Sequence, residues 1–125
     1  MKNIKGEPAI LILSDMEGVS GLVDGRLVSS GNMYWREYGR HLLTNDVNTV
    51  AIACAANGYK KVYLSESHNF GMNTVYDSLA PFISVLPPHS AQSNLKGTKI
   101  WDTIYKENNI VAAIMVGVHP MEGTK

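Results

Sequence analysis

Three short apolar runs, each followed directly by acidic or histidine residues, constrain the fold of this chain more than any other feature. The runs lie at residues 9–13, 61–64 and 110–116. Their length and their β-branched residues are typical of buried strands in a parallel sheet. The polar stretches that follow them lie at residues 14–18, 66–68 and 117–119. Because parallel strands end at the same edge of a sheet, these stretches are expected to meet where α/β folds bind their ligands.

Four side chains in these stretches can bind a cation, namely Asp15, Glu17, His68 and His119. Asp15 and Glu17 are two residues apart, so they point the same way in extended backbone. Two carboxylates and two imidazoles at one sheet edge predict a divalent metal site, with zinc as the first choice. Glu66 is expected to accept a hydrogen bond from an imidazole and thereby orient it.

Each of these residues also has a simpler explanation when it is considered alone. Asp and Gly after a strand are common turn residues, and a single histidine is usually structural or merely exposed. The coincidence carries the metal hypothesis, because two of the four histidines and the acidic pair all follow predicted strands.

The strongest helical pattern lies between the first two runs. Apolar residues recur at helical spacing from about residue 32 to 57, and Asn57-Gly58 is a typical helix stop. With a strand on either side, this helix predicts a βαβ unit. A further strand is expected at residues 83–86, and a short helix at residues 99–107. Residues 1–125 are therefore predicted to form a single α/β domain with a mostly parallel sheet and flanking helices.

Composition excludes several classes of function. Lys and Arg together number 11, as do Asp and Glu, so the chain has no basic field for nucleic acid or a membrane surface. The longest apolar runs are shorter than the ~20 residues that span a bilayer. Residues 1–8 lack a signal-peptide pattern. The single cysteine, Cys54, excludes an intramolecular disulfide. We therefore expect a cytoplasmic protein without nucleic-acid or membrane partners.

The three polar stretches resemble, in order and spacing, the motifs of the DppA-type zinc D-aminopeptidases. The residues that carry the resemblance are Ser14-Asp15-Met16-Glu17-Gly18-Val19-Ser20-Gly21, Glu66-Ser67-His68 with Met72-Asn73, and Gly117-Val118-His119. The resemblance implies a homo-oligomeric enzyme with two zinc ions that removes N-terminal D-residues from short peptides such as D-Ala-D-Ala. It also implies that Asp15 is the bridging ligand and that Glu17, His68 and His119 are terminal ligands.

Two departures from the family pattern bear on activity. The second motif usually reads Asp-Ser-His, whereas this chain has Glu66-Ser67-His68. The family's fifth ligand, a glutamate, and a histidine implicated in catalysis lie beyond the third motif, so we assign no catalytic residue. The chain is expected to be the N-terminal part of a longer peptidase. This polypeptide alone is expected to bind one zinc ion weakly and to show little turnover.

Two other functions stay open on the sequence. Residues 15–19, after an apolar strand, also resemble the first motif of haloacid-dehalogenase-type phosphatases, which need magnesium. Asp15 would then be the nucleophile, Glu17 the acid/base and Ser65 a phosphate ligand. That interpretation leaves both motif histidines without a role. The third possibility is a non-catalytic fragment that keeps the fold but assembles no competent site.

Overall fold

The computed structural model describes residues 6–87, 104, 106, 108–120 and 123–124. Its strands are β1 (Ala9–Ser14), β2 (Lys61–Glu66), β3 (Ile83–Val85) and β4 (Ile110–Val116). The long helix of this part of the chain is α1 (Arg40–Ala56). Short helical turns are formed by Gly25–Leu27, Trp35–Gly39 and Tyr76–Ser78. The predicted α/β fold is confirmed, while most of the helix expected at residues 99–107 lies outside the described residues.

All strand pairings are parallel, and the order across the sheet is β3-β2-β1-β4. The central strand β1 has β2 on one side and β4 on the other. Ser14, its last residue, is in register with both Glu66 and Val116. Three strands therefore end level with one another, and the residues that follow them emerge at a single edge, as the sequence predicts.

The helix α1 covers one face of the sheet because its apolar residues recur every three or four positions. The buried residues in this layer include Ile10, Ile12, Val62 and Leu64 from the sheet and Leu43, Val47, Ala51 and Cys54 from the helix. Burying one such large aliphatic side chain contributes roughly 1.5–3 kcal/mol to the free energy of folding.

Burial also raises the pKa of the Cys54 thiol. No described helix combines the length and the apolar character needed to cross a membrane.

The helix ends where the sequence predicts but begins its regular α-helical part later. Asn57 caps α1, and Gly58 follows in the left-handed region with φ of 95°. At the other end, Trp35–Gly39 forms a π-helical turn before α1 starts at Arg40. A Cβ atom on Gly39 would collide with the carbonyl oxygen of Leu27. This glycine therefore lets the start of the helix pass directly against the backbone of the 3₁₀ turn at Gly25–Leu27.

Candidate metal centre

Three of the predicted ligands come together at the carboxyl edge of the sheet. The Nδ1 atom of His68 lies 3.2 Å from Oδ1 of Asp15 and 3.1 Å from Oε2 of Glu17. One ligand atom from each of these residues can be chosen so that all three atoms lie within 4.8 Å of one another. A nitrogen and two carboxylate oxygens at this spacing form a group that could hold one metal ion.

His119, the fourth predicted ligand, approaches the same carboxylates from β4. Its Nε2 atom lies 3.6 Å from Oδ2 of Asp15 and 3.6 Å from Oε2 of Glu17. Its side chain is 43% exposed, whereas that of His68 is 8% exposed. Asp15 therefore turns one oxygen toward each imidazole.

The ring of His68 is fixed by the backbone of the loop after β1. Its Nε2 atom lies 2.8 Å from the carbonyl oxygen of Val28, which can only accept, so Nε2 carries the hydrogen. The side-chain amide of Asn69 also lies 2.8 Å from this nitrogen. That amide can rotate so that its oxygen accepts the hydrogen, whereas the carbonyl of Val28 can act only as an acceptor. Nδ1, the other ring nitrogen, therefore faces the two carboxylates.

His119 is held in the same manner, with its two ring nitrogens exchanged. Its Nδ1 atom lies 2.9 Å from the carbonyl oxygen of Pro120, which directs Nε2 toward the carboxylates. A lone pair beside carboxylate oxygens is repulsive unless a proton or a metal ion lies between them. A histidine that ligates a metal commonly donates its other N–H to a carbonyl, and both rings have this arrangement.

Close backbone packing joins the first motif to the third. The amide of Asp15 donates to the carbonyl of Val116 at 2.9 Å, and the amide of Gly18 donates to Gly117 at 2.8 Å. Gly117 has φ of 69°, and a Cβ atom there would collide with the carbonyl oxygen of Asp15. The amide of Met16 donates to Oδ1 of Asp15 at 2.8 Å, which fixes that carboxylate.

A protein-family model described as D-aminopeptidase (Peptidase_M55) matches residues 9–125. The chain belongs to the D-aminopeptidase family. Searches of curated proteins and of solved structures found no match. The family match covers all three motifs, and so it agrees with the resemblance that their residues carry.

Membership in the D-aminopeptidase family disfavours the phosphatase alternative, and the structure adds a second objection. Ser65, the phosphate ligand of that interpretation, is 4% exposed within β2. Ser65 pairs with Leu13 and is therefore enclosed in the sheet, one position before the edge at which Asp15 emerges. The two histidines that the phosphatase interpretation leaves without a role lie directly against Asp15 and Glu17.

Glu66 does not have the predicted contact in this D-aminopeptidase family member. Instead of an imidazole N–H, its carboxylate accepts four hydrogen bonds from the segment after His68. Oε1 accepts from the amide and the hydroxyl of Thr74, at 2.7 and 2.8 Å. Oε2 accepts from the amide of Met72 at 2.8 Å and from the hydroxyl of Tyr76 at 3.0 Å. The chain turns back over the end of β2, so its own donors surround this carboxylate.

The hydrogen bond between Tyr76 and Glu66 predicts that the pKa of Tyr76 changes when the charge of Glu66 is removed. Burial, followed by the negative charge of Glu66, raises the pKa of Tyr76 from 10.0 to about 12. We expect Glu66→Gln to lower the pKa of Tyr76 and to leave it above 10, because burial remains after the charge is removed. A ¹³Cζ NMR titration measures this value. Glu7→Gln, at an exposed carboxylate, serves as the control. An unchanged pKa of Tyr76 in Glu66→Gln would contradict the bond.

Proposed function

We propose that the chain is a zinc-dependent aminopeptidase that acts on short peptides with N-terminal D-residues, such as D-Ala-D-Ala. One observation carries the proposal: Nδ1 of His68 and carboxylate oxygens of Asp15 and Glu17 converge, in a member of the D-aminopeptidase family.

The chemistry of the donor set fits zinc. Zinc takes imidazole nitrogen and carboxylate oxygen together, and catalytic zinc sites have three protein ligands and one position left for water or substrate. Magnesium prefers oxygen ligands only, so a histidine nitrogen between two carboxylates disfavours it. His119 and the second oxygen of Asp15 extend the donor set, and these two residues would hold a second ion.

Zinc in such a site supplies Lewis acidity, which activates water and polarises a scissile carbonyl. The residues of the chain perform the remaining tasks. Val28 and Pro120 hold the two imidazoles in orientation through their carbonyls. The carboxylates of Asp15 and Glu17, together with Nδ1 of His68, would hold the metal. The peptide approaches from the side of Glu17 and His119, whose side chains are 32% and 43% exposed.

Calorimetric titration of the metal-free protein with zinc, beside a peptide-hydrolysis assay, tests the proposal. We expect weak zinc binding, together with a low, zinc-dependent release of D-alanine from D-Ala-D-Ala that EDTA abolishes. Hydrolysis of L-Ala-L-Ala, run in parallel, measures stereochemical preference. Absence of zinc binding would refute the proposal. Zinc binding without hydrolysis of either peptide would favour the non-catalytic alternative, and magnesium-dependent hydrolysis of an aryl phosphate would favour the phosphatase.

A further inference from the structure

Glu66 is a charged side chain that the structure removes almost entirely from water. Its exposed fraction is 3%. Burying a carboxylate is costly unless hydrogen bonds replace its hydration. All four of its hydrogen bonds come from residues 72–76, and two of them are from backbone amides. The carboxylate therefore sets the path of this short segment as well as filling the space beneath it.

The segment that Glu66 holds has an unfavourable backbone conformation. Met72 has φ of 62°, in the left-handed region that residues other than glycine seldom adopt. Such a conformation persists only where surrounding contacts enforce it. The amide of Met72 is itself one of the donors to Glu66, so the carboxylate supplies part of that enforcement.

The same segment is hydrogen-bonded to the backbone of His68. Asn73 is fully buried, and its side-chain amide donates to the carbonyl of His68 at 2.8 Å. Asn73 lies between Met72 and Thr74, whose backbone amides both donate to Glu66. The position of Asn73, and through it the backbone of His68, therefore depends on the carboxylate.

A second set of contacts ties the segment to α1. Arg40 donates to the carbonyl of Thr74 at 2.5 Å, and the amide of Val75 donates to the hydroxyl of Thr44 at 2.9 Å. These bonds tie Thr74 and Val75 to the helix, and Glu66 is the acceptor that reaches Met72, on the side of the segment nearer His68.

We propose that Glu66 is a positioning residue for the metal site: it holds residues 72–74 so that Asn73 keeps Nδ1 of His68 directed at Asp15 and Glu17. Glu66 acts through this segment and does not touch the metal. The inference rests on the proposed function for its link to zinc, while the positioning itself is a property of the metal-free protein.

Glu66→Gln tests the proposal with little change in size. Glutamine offers one acceptor oxygen, so the amide of either Met72 or Thr74 would face an NH₂ group. In the metal-free variant we expect faster amide exchange at both residues and altered ring ¹⁵N signals of His68. Zinc affinity is expected to fall about tenfold to a hundredfold, as when the outer partners of metal ligands are removed. Glu7→Gln, the same change at an exposed carboxylate, should alter none of these.

Asn73→Ala provides a second test that leaves the carboxylate in place. We expect weaker zinc binding and altered His68 signals, with Met72 and Thr74 still protected from exchange. Unchanged His68 ring signals in both variants would overturn the proposal, because Glu66 would then serve stability alone. If the wild-type protein fails to bind zinc, the proposed function fails, but the His68 signals of the metal-free variants still decide the positioning role.

Discussion

Replacing His68 with alanine is expected to weaken zinc binding about a hundredfold or more. The imidazole is the nitrogen donor of the converging group, and its removal leaves the carboxylates of Asp15 and Glu17 with His119 at a longer distance. Removing a residue that hydrogen-bonds to a metal ligand typically lowers metal affinity about 10–100-fold. Removing the ligand itself should therefore lower it more. Competition calorimetry with a chelator of known affinity measures the change.

His41→Ala is the matched control for that experiment. His41 is an exposed residue of α1, so its loss should leave zinc affinity unchanged. Equal zinc affinity in His68→Ala and in the wild-type protein would show that the converging group is not the binding site. Equal losses in the two variants would show that zinc binds imidazoles of this protein without selection for the converging group.

Gly39→Ala is expected to destabilise the protein by about 3 kcal/mol, the upper part of the range for overpacking. The backbone of Gly39 is ordinary helix, with φ of −56° and ψ of −44°, so no conformational reason requires glycine. Alanine in a helix is normally favoured over glycine by about 1 kcal/mol. Destabilisation must therefore come from the collision of the new Cβ with the backbone of Leu27, which cannot rotate away.

Urea unfolding followed by circular dichroism measures the effect. Gly25→Ala is the control, because nothing lies within 4 Å of a Cβ atom at that position. Gly25→Ala should change the free energy of unfolding little. If Gly39→Ala were as stable as the wild-type protein, the close approach between the helix start and the Gly25–Leu27 turn would be wrong. Because that turn leads to Val28, destabilisation of Gly39→Ala should also loosen the ring of His68.

The sheet and the helix were predictable because the spacing of apolar residues along the sequence shows which positions are buried. Residues 9–13 are apolar without alternation, and the structure buries β1 between β2 and β4. The apolar spacing before Asn57 likewise located α1. The π-helical turn at Trp35–Gly39 was not predictable, and neither was the close approach of its last residue to the backbone of Leu27. The spacing of apolar residues shows which face of a helix or strand is buried. It does not show which other segment of the chain contacts that face.

The juxtaposition of Asp15, Glu17, His68 and His119 was predictable for a related reason. Parallel strands that end level bring their following residues together, whatever the loops do. The partners of these side chains were not predictable. Val28 contributes a backbone carbonyl, which leaves no signal in the identity of the residue. Glu66 was singled out for its position, but its contacts depend on how residues 69–76 turn back over β2.

The candidate site joins the ends of β1, β2 and β4, which come from the beginning, middle and last part of the chain. A cation bound there would link the ends of three strands. Because only the folded chain forms the site, the binding free energy of the cation would add to the free energy of unfolding. A ligand at a hundredfold excess over its dissociation constant adds about 2.7 kcal/mol to stability. For the proposed zinc enzyme, the supply of zinc would therefore affect resistance to heat and proteases as well as catalytic activity.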